Sequence, residues 1–142
     1  MIALGSDHAG LPLKKEIMEL LDSKGVAYKD FGAYSGESCD YAKFGQLAGK
    51  AVQSGECERG ILCCGTGIGI SITANKVPGV RAALCTDCFC AEATRQHNDA
   101  NILSLPARFI DTDTAKAIVK SYLESDFEGG RHQRRVEKIA CK

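Results

Sequence analysis

A regular alternation constrains this chain more than any single motif. Short apolar runs, each about the length of a strand, are separated by longer segments of helical period. The first run spans Ile2 to Gly5. It is followed by "LPLKKEIMELLDSKG", in which Leu13, Ile17, Leu20 and Leu21 recur at helical spacing and Gly25 supplies a stop. "VAYKDFG" reads as a second strand, and a turn-rich loop, "AYSGESCD", comes next. Tyr41 to Ser54 reads as a helix with Phe44, Leu47, Ala48 and Ala51 on one side. "RGILCC" is a third strand whose continuous apolar character predicts burial on both sheet faces.

The pattern then repeats. A helix is expected from Ile68 to about Lys76, a strand in "VRAALC" and a helix in "CFCAEATRQHND". "NILSLP" is a fifth strand, and "DTDTAKAIVKSYLESDF" is a helix capped by Asp111 or Thr112. A terminal helix is expected in "GGRHQRRVEKIACK". Five strands alternating with helices predict an α/β fold, a three-layer α/β/α arrangement around a five-stranded, parallel, Rossmann-like sheet, plus a C-terminal helix. At 142 residues this is one domain, 1–142, with no repeat or linker.

Charge and composition exclude several function classes. Lys plus Arg number 18 and Asp plus Glu number 18, so no global field draws the chain to nucleic acid or a membrane surface. An anionic ligand must be met by a local cluster. No apolar run reaches the roughly 18 residues of a membrane span. The opening "MIALGSDHAG" lacks the basic and apolar regions of a signal peptide, so a cytoplasmic location is expected. The eight cysteines are then expected as free thiols. "CTDCFC" (Cys85, Cys88, Cys90) offers three thiols but no second C-x2-C, and core or surface thiols are the ordinary reading.

In a doubly wound sheet, ligands bind beyond the carboxyl ends of the strands. The first strand ends at Asp7 and His8, and the second leads into the loop holding Asp40 and Tyr41. The third ends at Cys64 and a glycine run, and the fifth runs into Arg108. These groups share one edge.

The glycine run is neither a dinucleotide fingerprint nor a P-loop. Counting from Gly65 or Gly67, the third fingerprint position falls on Ile70 or Ile72, too bulky for close helix–strand approach. "GTGIGIS" also lacks the P-loop lysine. Cys63 and Cys64 are adjacent, so on a strand they point to opposite faces and do not act as a redox pair. Cys63 reads as core. Cys64 ends the strand beside a helix amino terminus, where backbone N–H groups favour a thiolate, and from position alone it is either a base or a small buried residue.

Arg131 and Arg135 share a face of the last helix and suit a phosphate, although a solvated basic face is the commoner fate of such a pair. Arg134 and Lys138 lie on a neighbouring stripe and are left to solvent. His132 aligns with Val136 and Ile139, which suggests packing. His97 lies in the polar "RQHND", where a surface or capping role is ordinary. Ser71 and Thr73 read as helix-start hydroxyls, and Asp87 as a loop acid.

Together "SDHAG", Asp40-Tyr41, "CGTGIGISITANK", "RQHN" and "GGRHQRRVE" resemble the type B ribose-5-phosphate isomerases. That group lies within a sugar-phosphate isomerase family that includes allose-6-phosphate and galactose-6-phosphate isomerases. The resemblance covers essentially the whole chain. It implies interconversion of ribose 5-phosphate and ribulose 5-phosphate through an enediolate, with no metal and no organic cofactor. Cys64 is the implied base, and Gly65, Thr66, Gly67, Ile68 and Gly69 the implied oxyanion loop. His97 is implied to act on the ring oxygen during sugar opening, and Asn98 to bind hydroxyls. Asp7 and His8 match sugar and phosphate contacts, and Arg108, Arg131 and Arg135 match phosphate ligands. A family branch with a carboxylate base in this loop would place it at Ile70, so the chain falls in the cysteine branch. Ala42 stands where the family often has proline, which leaves the role of Asp40 open. The resemblance also implies a homodimer with shared sites.

Allose 6-phosphate is the alternative substrate. Galactose-6-phosphate isomerase divides its site between two different subunits, whereas this chain carries both sets of residues. A non-catalytic sugar-phosphate sensor on the same fold, and a nucleotide-binding oxidoreductase, are the readings from other classes.

Overall fold

A computed structural model describes residues 1–140; Cys141 and the end of the last expected helical segment lie outside the described residues. The elements are β1 (Ile2–Ser6), α1 (Leu11–Ser23), β2 (Tyr28–Asp30), α2 (Tyr41–Gln53), β3 (Arg59–Cys64) and α3 (Ile68–Asn75). β4 (Ala82–Leu84), α4 (Cys88–Gln96), β5 (Ile102–Pro106), α5 (Thr112–Glu124) and α6 (Arg131–Lys138) follow. All strand pairs are parallel, in the order β2-β1-β3-β5-β4. This is the expected five-stranded parallel sheet with an extra C-terminal helix.

The chain leaves β1 toward one side of the sheet and returns to place β3 on the other. The switch point therefore lies between β1 and β3, where a crevice opens beyond the strand ends. Ser6 registers with Cys63 across that pair, so the loops after both strands start side by side.

Period-2 alternation assigns the two faces. Ile2, Leu4, Ile61, Cys63, Leu103 and Leu105 pack with Leu13, Ile17, Ala91 and Ile118 from α1, α4 and α5. Ala3, Leu62, Cys64 and Ile102 pack with Phe44, Ala48, Ile70 and Ala74 from α2 and α3. Adjacent Cys63 and Cys64 thus belong to opposite cores.

The structure corrects the expected face of α2. Leu47 is 38% exposed, and the buried side carries Gly45, Gly49 and Val52 beside Phe44, Ala48 and Ala51. The cause is the close approach of α2 to α3 and the turn after it. A Cβ on Gly45 would stand 3.0 Å from the Ile70 carbonyl oxygen, and one on Gly49 3.0 Å from Val77 Cγ2. Glycines here carry the contact that apolar counting assigned to Leu47.

Smaller differences follow the hydrogen bonds. Asp111 rather than Thr112 caps α5, its Oδ1 accepting from the Thr114 N–H at 2.7 Å. Ser71 and Thr73 do not cap α3. Their hydroxyls donate back to the carbonyls of Ile68 and Gly69, at 2.8 and 2.9 Å.

Lys14 is 1% exposed, and its ammonium pairs with Asp30 at 2.7 Å while donating to the Ala33 carbonyl. This clamp ties the chain leaving β2 to α1.

Candidate active site

The loop after β3 is built around one backbone inversion. Gly67 adopts φ 73°, a left-handed conformation, and a Cβ there would lie 2.6 Å from Leu84 Cδ1. Ser104, buried on β5, donates its hydroxyl to the Gly67 carbonyl at 2.6 Å and draws that oxygen toward the sheet. The Gly67 N–H turns the other way and donates to Cys64 Sγ at 3.1 Å. Cys64 is 4% exposed, at the end of β3 and beside the start of α3. The Gly67 N–H and the amino terminus of α3 both face this end of β3, a setting that suits an anion. Thr66 is exposed, and its Oγ1 accepts from the Ile68 N–H at 3.1 Å, so that amide is engaged within the loop.

Its neighbour Cys63 is fully buried on the opposite face, and burial pushes its thiol far above the ordinary range. The chemical difference between the two cysteines is therefore positional.

Other expected residues gather around this loop. Arg108 is exposed and lies over Gly65, its N–H donating to the Gly65 carbonyl at 3.0 Å. Asp7 is buried and accepts from the Gly10 N–H at 2.9 Å, which fixes the turn into α1. His8 accepts at Nδ1 from the Cys39 N–H at 3.2 Å. That contact places the imidazole proton on Nε2, which becomes a donor for an anion. Tyr41 opens α2 beside this loop. Its ring covers Gly69 so closely that a Cβ there would fall 2.5 Å from Tyr41 Cζ. Asp40, beside it, stands at the N-cap of α2 without a side-chain cap bond.

A second set occupies the opposite edge of the sheet. α4 starts beyond β4 and runs back across the sheet, so its C-cap, His97, lies near the point where the chain re-enters β5. The three central strands, β1, β3 and β5, have five or six residues and make the sheet roughly 17 Å tall at ~3.3 Å per residue. Within one chain His97 and Asn98 therefore follow the end of α4 at the edge of the sheet opposite Cys64. α6 packs on this same edge: the His97 and His132 rings stack with centroids 4.5 Å apart and planes 15° from parallel. Arg131 and Arg135 are exposed on α6. The expected residues thus form two clusters, one of Asp7, His8, Cys64, the glycine loop and Arg108, the other of His97, Asn98, Arg131 and Arg135.

His132 is buried, as a packing role requires, but its partner is the His97 ring. Burial, the His97 ring and Arg131 hold it below the ordinary imidazole range, against the pull of Glu128. No local signal in "GGRHQRRVE" marks that stack, because it joins residues far apart in the chain.

The "CTDCFC" thiols do not converge. Cys85 is buried and pushed up to about 12 by burial, while Cys88 and Cys90 are exposed at the start of α4. Among the described residues, the one grouping with metal-ligand atoms in reach of one another is His97, Glu128 and His132. Cys39, Cys57, Cys63, Cys64, Cys85, Cys88 and Cys90 are all free thiols. No helix among the described residues is long and apolar enough to cross a membrane.

Comparison with known proteins bears on this arrangement. The family model described as Ribose/Galactose Isomerase matches residues 2–139. Ribose-5-phosphate isomerase B of Escherichia coli (strain K12) is 47% identical over 140 residues, 99% of this chain and 94% of that protein. The solved structure of Clostridium thermocellum ribose-5-phosphate isomerase B superposes with a TM-score of 0.97 at 53% identity, covering 98% of this chain and 94% of that one. Ribose-5-phosphate isomerase B from Mycoplasma genitalium, solved with bound ribulose-5-phosphate, gives a TM-score of 0.94 at 44% identity, covering 99% and 93% of the two chains.

Proposed function

The chain belongs to the ribose/galactose isomerase family, and from that premise we propose that it interconverts ribose 5-phosphate and ribulose 5-phosphate with Cys64 as the base. The observation that carries this reading is the Gly67 N–H on Cys64 Sγ at 3.1 Å, at the mouth of the sheet's switch point. A base there takes the proton from C2 of the open-chain aldose. The electron pair moves to O1, and the enediolate oxygens lie against the glycine loop, where backbone N–H groups would stabilise them. The hydroxyl proton passes from O2 to O1, and return of the abstracted proton to C1 as C2=O forms gives the ketose. Proton transfer and fixed dipoles suffice for this chemistry, so the reaction needs neither metal nor organic cofactor.

The Nε2 of His8 and the guanidinium of Arg108 supply donors for the phosphate from the same chain. Arg131 and Arg135 complete the clamp from a second copy. The placement of the two clusters at opposite edges of the sheet favours that assignment. A two-fold dimer would set the His97 edge of each copy against the Cys64 edge of the other. Ile68, Ile72 and Leu84, 49%, 56% and 38% exposed, make an apolar face beside the glycine loop that such a partner would cover. Free thiols fit a cytoplasmic enzyme.

Turnover measured side by side on ribose 5-phosphate and allose 6-phosphate tests the reading. A kcat/KM at least about tenfold higher for the pentose is expected, because one extra carbon moves the phosphate away from its guanidinium partners. A preference for allose 6-phosphate would reassign the substrate, and no turnover of either would leave a binding protein.

A further inference from the structure

The amide that meets the Cys64 sulfur belongs to a glycine, and glycine has little preference of its own for the conformation held here. Gly67 stands at φ 73° and ψ −5°, one of several wells open to a residue without a Cβ. A contact from outside the loop selects it. We propose that Ser104 is a positioning residue for the reaction, its buried hydroxyl locking the Gly67 carbonyl and so aiming the Gly67 N–H at the sulfur of the base. This rests on Cys64 being that base, as read above.

The anchor itself is rigid. Ser104 lies on β5, which is paired on both sides, and it registers with Leu62 of β3 and Leu84 of β4. Its carbonyl accepts from the Cys85 N–H at 3.1 Å. Its side chain is 0% exposed and shares the sheet face of Leu62 and Cys64. From there the hydroxyl donates to the Gly67 carbonyl at 2.6 Å, a short bond between two buried groups. Ile102, two residues earlier on the same face, is apolar and fully buried. A serine beside it buries a hydroxyl at a cost, which the bond to Gly67 offsets.

Two peptide planes meet at the Gly67 Cα. Ser104 holds the one that follows, through its carbonyl, and φ then sets the one that precedes, whose N–H donates to Cys64 Sγ at 3.1 Å. The Cα also rests against β5, since a Cβ there would fall 2.9 Å from the Leu105 carbonyl carbon. Cys64 and Gly65 are anchored separately. Their carbonyls accept from the Ala107 and Arg108 N–H groups at 2.9 and 3.0 Å. Loss of the Ser104 bond therefore frees the amide and leaves the strand end that carries the sulfur in place. A fixed donor on Sγ keeps the base where it reaches the C2 proton, and a misplacement of ~1 Å can cost ~100-fold in rate.

Amide hydrogen exchange, followed residue by residue by NMR on the intact protein, tests the hold without turnover. In Ser104→Ala the Gly67 amide is expected to exchange at least about tenfold faster, while amides of the β3–β5 ladder keep their native rates. A general loss of stability would speed all of them together and would overturn the proposal. In kinetics, Ser104→Ala should lower kcat about tenfold with KM within about twofold of native, the pattern of a group that acts in the transition state. Ser104→Thr keeps the hydroxyl on a side chain suited to a strand and should restore most of that loss. If the threonine variant does not fold, Gly67 exchange and kcat in Ser104→Ala decide between them. Unchanged Gly67 exchange in Ser104→Ala, or a freed Gly67 amide with native kcat, would overturn the proposal. A native protein that turns over neither sugar would overturn the isomerase reading instead, while exchange at Gly67 still decides whether Ser104 holds that amide.

Discussion

Two adjacent cysteines separate chemistry from packing. Cys63 looks into the core beneath α1 and α5 and is fully buried, whereas Cys64 ends the strand on the opposite face with an amide on its sulfur. Cys64→Ala should lower kcat on the order of a thousandfold with substrate affinity largely kept, since a base acts in the transition state more than in binding. Cys63→Ala should leave kcat near native and cost about 1 kcal/mol of stability from the small cavity. Steady-state kinetics beside thermal melts of both variants measure this, and the reverse pattern would move the base to Cys63. Alternation along a strand made this pair legible in the sequence. Tyr41 over Gly69 and His132 against His97 were not legible, because each contact depends on how two distant elements approach.

At the scale of elements, boundaries and types followed the periodic pattern, and the differences arose where elements meet. Leu47 has the right spacing for a core face, yet α3 approaches α2 over Gly45 instead. A second such meeting is the junction of α1 with the chain leaving β2, where Lys14 is enclosed with Asp30 and the Ala33 carbonyl. Nothing in "LPLKKE" distinguishes Lys14 from the exposed Lys15 except that Lys14 falls on the buried side. Removing one member of a buried pair strands the other, so Lys14→Met should destabilise by about 3 kcal/mol. For a domain of this size that corresponds to a melting temperature lower by roughly 10 °C. A melt within about 2 °C of native would mean that desolvation of Lys14 already cancels the pair's attraction.

For the whole molecule the decisive feature is the height of the sheet. Cys64 and His97 lie at opposite edges, and the proposed two-copy site makes a complementation test possible. Cys64→Ala and His97→Ala proteins, each inactive alone, should regain activity when unfolded and refolded together. In a mixed dimer one site collects both defects and the other neither. Random pairing makes half the dimers mixed, so roughly a quarter of native activity should return. Mixed dimers confirmed by mass but without activity would show that one chain supplies both residues.

Local order was enough for the strands, the helices and the division of the cysteines. Periods of 2 and 3.6 are properties of a few successive residues, and RGILCC or LPLKKEIMELL carries its period whatever the rest of the chain does. Gly67 and the run around it were legible for the same reason, since a strand ending in glycines announces a turn into a helix. The edge on which each polar group stands was not local. It follows from α4 running antiparallel to its strands, from β5 inserting between β3 and β4, and from α6 folding back onto the end of α4. The sequence alone therefore determined where along the chain the candidate thiol and polar groups fall. Only the packing of distant elements decided which of them stand on one edge of the sheet and which on the other, because spatial neighbours in a parallel sheet are set by crossovers and not by spacing along the chain.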